Sequence, residues 1–265
     1  MSKIRILLIF VILFQGLNAQ DFEVSPLVMN FNAEPGVIQK KQLTLINHSA
    51  QPQKYNLKIS DFVEDTEGNR KIVPLGSSKR SCANWLNISP SYIQLNPNQK
   101  AQLEITMSVP KDSFSSRWCM LHVEVAKDQS AFEADKSVVA GVLLVPRIAV
   151  LVNQSPQSNN IYKATINELK EITKRGSNHH VFEVVVANEG DNLIEANVNL
   201  TLVNQQSGKE EKFTVTKATV YPDASRKITL QMPSITVKGN YVVTAVVDYG
   251  HRQPLEETKL MLEIK

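Results

Sequence analysis

Two cysteines in 265 residues permit one disulfide at most, so a small scaffold stapled by several such bonds is excluded. No CxxC spacing and no Cys/His grouping accompanies them, which argues against a catalytic thiol. An excess of one charge is also missing: the formal net charge is +3, without the basic stripe that a nucleic-acid binder presents. No apolar run reaches the roughly 20 residues of a membrane span. Catalytic signatures are absent as well. There is no GxSxG, HExxH, phosphate-binding loop or dinucleotide motif, so neither an enzyme nor a cofactor is expected.

What is present begins with an address. Lys3 and Arg5 precede an apolar run from Ile6 to Phe14, followed by the small-residue end Gly16, Leu17, Ala19. That order marks a cleavable secretory signal peptide over Met1 to Ala19, and hence a periplasmic or otherwise exported chain. Removing it takes away two basic residues and no acidic one, which lowers the charge by two, to +1. The mature chain is expected not to insert into a membrane. About 245 residues then remain, enough for two domains of ordinary size.

Two stretches of the mature chain say nearly the same thing. LTLINHS (Leu43 to Ser49) is an alternating strand that ends in Asn and a turn, and VVVANEG (Val184 to Gly190) repeats it. The echo continues in YIQLNPNQKAQLEITM (Tyr92 to Met107) against TVYPDASRKITLQM (Thr219 to Met232), and in WCMLHVEV (Trp118 to Val125) against YVVTAVVD (Tyr241 to Asp248). A long-period likeness of this kind implies a duplicated folding unit. Asn47 stands 71 positions before Trp118, whereas Asn188 stands 53 before Tyr241, so the first copy carries 18 extra residues. The polar stretch Asp61 to Ser81 is where a loop or edge hairpin absorbs them.

Seven or eight short alternating strands per unit, separated by Asn, Asp, Gly and Pro turns, predict an all-β protein of two tandem immunoglobulin-like sandwiches. The expected layout is a signal peptide at 1–19, a first domain at 20–152, a polar linker at 153–160 and a second domain at 161–265. Ile166 to Arg175 reads either as a short amphipathic helix or as a hairpin. In an oxidising compartment Cys82 and Cys119 either pair, which stabilises by roughly 4 kcal/mol for a loop of this length, or remain two buried free thiols. His179 and His180 are adjacent and so point to opposite faces of a strand, which suits solvated residues rather than a metal site. Glu64, Asp65 and Glu67 beside Gly68 and Asn69 read as a hairpin tip, with a weak calcium site as the alternative. The triplets beginning at Asn47, Asn87 and Asn199 fit N-glycosylation acceptors, which matter only in a eukaryotic secretory pathway.

Three segments carry a resemblance to a known family. VPKDSFSSRWCMLHVEV (Val109 to Val125) resembles the turn and strand of periplasmic pilus-assembly chaperones. DFEVSPLVMNF followed by LTLINHSAQPQKYNLKI is similar to their opening strands, and VVAGVLLVPRIAVLV (Val138 to Val152) to the last strand of their first domain. The resemblance implies a protein that binds exported fimbrial or other envelope subunits by lending them that strand. The donated side chains would be Ala140, Val142 and Leu144, which share one face by period two.

The same resemblance implies two basic residues in the interdomain cleft that hold a subunit carboxylate. Here the first-strand positions are Phe22, Glu23 and Val24, and the last strand has Ala149 at the expected place with Arg147 two residues earlier. Arg147 is therefore the candidate carboxylate anchor. Pro146 removes one backbone donor, a feature of edges and bulges. The alternative from another class is a structural or adhesive envelope module that binds cell-wall material or surface proteins, with its edge strand already paired within the domain.

Overall fold

The computed structural model describes residues 21–126 and 145–265, and among them the regular structure is strand apart from one short 3-10 turn, Ala83–Trp85. The first domain holds β1 (Phe22–Ser25), β2 (Val28–Phe31), β3 (Ile38–Asn47), β4 (Gln53–Glu64), β5 (Arg70–Val73), β6 (Leu86–Ser89), β7 (Tyr92–Leu95), β8 (Lys100–Ser108), β9 (Arg117–Val125) and β10 (Arg147–Gln154). The second holds β11 (Ala164–Glu171), β12 (His179–Asn188), β13 (Ile194–Asn204), β14 (Glu210–Lys212), β15 (Thr216–Val220), β16 (Ser225–Pro233), β17 (Gly239–Asp248) and β18 (Glu256–Ile264). Both domains are immunoglobulin-like sandwiches.

In the first, the order β1-β3-β8-β6 faces the order β2-β10-β9-β4-β5, with β7 also on β4. The chain changes sheets between β1 and β2, at the cis Ser25–Pro26 bond. In the second, β11-β12-β16 faces β14-β13-β17-β18, with β15 also on β13. Period-two alternation builds each core. Leu43 and Leu45, Leu103 and Ile105, Leu121 and Val123, and Val150 and Val152 close the first core; Val184 and Val186, Val198 and Leu200, and Val243 and Ala245 close the second.

The duplicated asparagine has the same task in both copies. Asn47 ends β3 fully buried, and its Nδ2 donates to the carbonyls of Gln51, Leu95 and Asn96. Asn188 ends β12 buried, and its Nδ2 donates to the carbonyls of Asn192 and Val220. Each Oδ1 accepts the amide two residues on, from Ser49 and from Gly190. A buried carbonyl left unpaired costs about 1–3 kcal/mol, so one amide side chain ties several loop ends that no apolar residue could satisfy.

The segment Ile166 to Arg175 is a hairpin arm, not a helix. β11 pairs with β12 through a register shift between Asn167 and Lys170, with Glu168 at φ 58°. β10 reaches Gln154, two residues into the stretch read as linker. Asn153 and Gln154 look like linker by composition, yet both are buried, with their amides donating to Asn30 Oδ1 and the Ala33 carbonyl. Within the strand read as Val138 to Val152, residues 138–144 lie outside the described residues.

Candidate functional site

β10 is bonded on both sides. It runs antiparallel to β9, from Arg147 opposite Glu124 to Gln154 opposite Arg117, and parallel to β2 from Val28 to Phe31. Ile148, Val150 and Val152 face the core, whereas Arg147, Ala149, Leu151 and Asn153 face the other way. Just ahead of the strand, Val145 is 42% exposed. Ala140, Val142 and Leu144 lie outside the described residues, and they share the even-numbered parity of the core-facing positions of β10.

On the outer face, His122 of β9 sits opposite Lys58 and Ala149. The residue is 3% exposed, and its ring shares a 2.7 Å hydrogen bond, through Nε2, with Ser60 Oγ, while Nδ1 has no partner among the described residues. Burial, reinforced by the Arg147 charge and partly opposed by Glu124, holds its pKa below the ordinary 6.5. The native state therefore binds fewer protons here than the unfolded chain. Its contribution is complete above about pH 6.5 and is lost as pH falls through that value toward the native pKa. Melting temperature should drop between about pH 7.5 and about pH 5.5, and the drop should shrink in His122→Gln. An identical drop in the variant contradicts this assignment.

The two domains meet on a mixed contact. Phe62 of β4 and Met120 of β9 are buried against Tyr221, with Trp118, Leu151, Leu193 and Ala224 around them. The Tyr221 ring lies 5.6 Å from Phe62 edge-on and 4.7 Å from Trp118, and burial pushes its hydroxyl pKa to about 12. Arg80 spans the boundary: Nη1 donates to Asp191 Oδ1 at 2.6 Å, and Nε and Nη2 donate to Asp223 Oδ2 at 2.9 and 2.7 Å. Beside it, Ser116 Oγ donates to Asn192 Oδ1 at 3.0 Å and the Ser116 amide donates to the Asp191 carbonyl.

The 18 extra residues supply the remaining contact. The β4–β5 hairpin leans on the second domain, where Arg226 Nη1 donates to Glu64 Oε1 at 3.1 Å and the Lys227 amide donates to the Thr66 carbonyl at 2.8 Å. Lys227 Nζ reaches Glu67 at 2.7 Å. Gly68 is required on two counts: its φ is +83°, and the Arg226 guanidinium occupies the space where a Cβ would stand. The acidic group is thus a hairpin tip matched to cations. Glu64 binds Arg70 and Arg226, Glu67 binds Lys227, and Asp65 accepts from Asn69. Nothing in the sequence announced these pairs except that Arg80 and the acidic tip belong to the added segment.

No protein-family model matches the chain, and no curated protein does. Among solved structures, a chain of a chaperone–tip adhesin complex of CFA/I fimbriae superposes with a TM-score of 0.50, at 12% identity, over 92% of this chain and 98% of that one. The fold is that of the fimbrial chaperones. The class 5 fimbrial chaperone CfaA gives 0.48 at 12% identity over 92% and 99% of the two chains. The chaperone–tip adhesion subunit complex CsuC–CsuE from Acinetobacter baumannii gives 0.47 at 14% identity over 90% and 98%.

Within this chaperone fold the two expected anchor positions are not cationic. Phe22 and Val24 are core residues, and Glu23 is exposed beside His48. Ala149 faces outward on β10. Arg147 is exposed at the head of β10, about 13 Å along the strand from Leu151 at a rise of about 3.3 Å per residue, and so apart from the interdomain contact. The cations at that contact are already matched: two aspartates hold Arg80, and Glu64 and Glu67 hold Arg226 and Lys227.

The remaining residues singled out by sequence lie elsewhere. Cys82 and Cys119 are fully buried and free, with their sulfurs 3.4 Å apart, so the disulfide is not formed in this structure. The Cys119 pKa is raised by the hydrogen bond from Cys82 and by burial, which keeps it a thiol. The sulfurs nevertheless need little movement to bond. Protein purified from an oxidising compartment and unfolded without reductant should take up no alkylating label; uptake of two labels contradicts the bond. His179 is exposed, and His180 binds Glu171 at 2.7 Å, so the two do not converge. No helix among the described residues is long and apolar enough to cross a membrane.

Proposed function

We propose that this protein is an exported chaperone-like factor that holds fimbrial or other envelope subunits by β-strand addition, with Ala140, Val142 and Leu144 as the donated side chains. The observation that carries the reading is parity. In β10 the even-numbered positions 148, 150 and 152 face the domain core. A strand continued backwards from it turns Ala140, Val142 and Leu144 to that same face, so a partner sandwich short of a strand would extend this core. Exposed Val145 at the head of β10 fits such a continuation. The likeness in fold to a chain from a chaperone–tip adhesin complex fits the same partner class.

Arg147 serves as the candidate cation for a subunit carboxylate, from the head of β10 and not from the interdomain cleft. The protein binds and does not catalyse on this reading. Co-purification from envelope extracts tests it. The wild-type chain should retain exported subunits, and a chain whose residues 138–145 are replaced by a Gly/Ser linker should retain none. Equal recovery by both, or affinity of both for wall polymer alone, favours the structural module instead.

A further inference from the structure

β18 is the outermost strand of the larger sheet in the second domain. It pairs with β17 from Val247 opposite Glu256 to Gly239 opposite Ile264 without a register shift, and among the described residues no backbone hydrogen bond engages its other edge. β11 of the facing sheet lies close along this strand without bonding to it, and an edge whose backbone groups are left unpaired is a template for another strand. The other edges among the described residues are blunted, β2 and β5 by a length of four residues each. β1 and β6 have four residues each and β14 three, β11 carries a register shift, and β16 gives its Lys227 amide to the hairpin and ends in Pro233. β18 runs nine residues with neither Pro nor Gly.

Its side chains divide cleanly between two faces. Glu257, Lys259, Met261 and Glu263 are exposed on the outer face, with Met261 at 63%, whereas Leu260, Leu262 and Ile264 on the inner face are only half-buried. On neighbouring β17, by contrast, Val243, Ala245 and Val247 are completely buried.

We propose that β18 pairs antiparallel with β18 of a second copy of this chain, about a two-fold axis through Met261. An axis normal to the sheet keeps outer face with outer face, so the choice among registers is a choice of the central residue. Centred on Lys259, that lysine meets itself. Centred on Leu260, Glu257 faces the partner's Glu263, and centred on Leu262, Lys259 faces the partner's Lys265. Among the registers centred from Lys259 to Leu262, only Met261 removes every like-charge pair: Glu257 faces the partner's Lys265, Lys259 faces the partner's Glu263, and each pair occurs twice; centring on Thr258 also avoids like charges but overlaps only residues 256–260 of the strand. Directly opposed like charges destabilise a strand pair and opposite charges stabilise it, so the sequence of this edge favours the Met261 register, the longer of those free of like-charge pairs. The charges already alternate within one copy, with Lys259 2.7 Å from Glu257 and Lys265 3.9 Å from Glu263. Pairing also sets Leu260 against the partner's Leu262, which covers the half-buried inner face and joins two sheets into one.

Sedimentation velocity on the full chain and on two charge reversals tests this. The wild type should dimerise in the micromolar range. Lys259→Glu and Glu263→Lys, each exposed and so without effect on folding, should each be monomeric alone, with dissociation constants raised at least about tenfold, because each creates two like-charge pairs. Mixed in equal amounts, the two variants should dimerise again, since 259 of each then meets an opposite charge at 263 of the other. A wild type that stays monomeric, variants that associate as well as the wild type, or a mixture that fails to recover overturns the proposal.

Discussion

Replacing Val142 and Leu144 together with glutamate should weaken subunit binding by about 4 kcal/mol, or about a thousandfold in dissociation constant. Each change puts a carboxylate on the face that must enter an apolar groove, and truncating or charging a desolvated anchor costs about 2 kcal/mol or more. Stability of the chain itself should not change, because the described core closes without these residues: Leu121, Val123, Val150 and Val152 are already buried against one another and against β3 and β8. Calorimetric titration against a purified subunit reads the first effect, and thermal melting reads the second. Arg147→Ala should weaken binding by a smaller amount, about 1.5–3 kcal/mol if one charge-assisted hydrogen bond to a carboxylate is lost. Unchanged affinity in the double variant with unchanged melting would remove the donated strand from the account.

Arg80→Ala should uncouple the two domains. The guanidinium is half-buried and makes three short hydrogen bonds to Asp191 and Asp223, one on each of two loops of the second domain. The Asp223 contact is largely exposed and contributes little, about 0–1 kcal/mol. The Asp191 contact lies beside buried Ser116 and Asn192, and its loss leaves a carboxylate without its cation in a partly dry site. A total of about 2 kcal/mol is expected, read in calorimetry as one melting transition splitting into two. Arg80→Lys should not restore coupling, because a single ammonium cannot reach both aspartates as the planar fork does. One unaltered transition in Arg80→Ala contradicts the clamp.

Much of this molecule is legible as pattern. Period-two alternation is a local signal, and so is an asparagine that ends a strand and must bond its own turn. The repeated Asn47 and Asn188 therefore announced two copies of one plan before any coordinates. The added residues between Asp61 and Ser81 were legible as an insertion for the same reason, by counting between repeated landmarks.

Their docking was not legible. Arg80 lies 143 positions from Asp223, and Arg226 lies 162 from Glu64, so each pair exists only because two domains are folded and set against each other. Composition also misplaced the domain edge. Asn153 and Gln154 read as linker, yet β10 buries both because Asn30 and Ala33 accept their amide protons. For Arg147, sequence order placed it on the same strand face as Ala149, but only the register shows that it stands at the far end of β10 from the interdomain contact.

Amide hydrogen exchange across residues 138–145, compared in the free chain and in its complex with a purified subunit, tests the central claim most directly. Strand addition bonds backbone to backbone, so alternate amides of this segment should slow by orders of magnitude on binding while β9 and β10 stay as protected as before. A bound subunit that leaves exchange in 138–145 unchanged, with new protection elsewhere, contradicts strand donation.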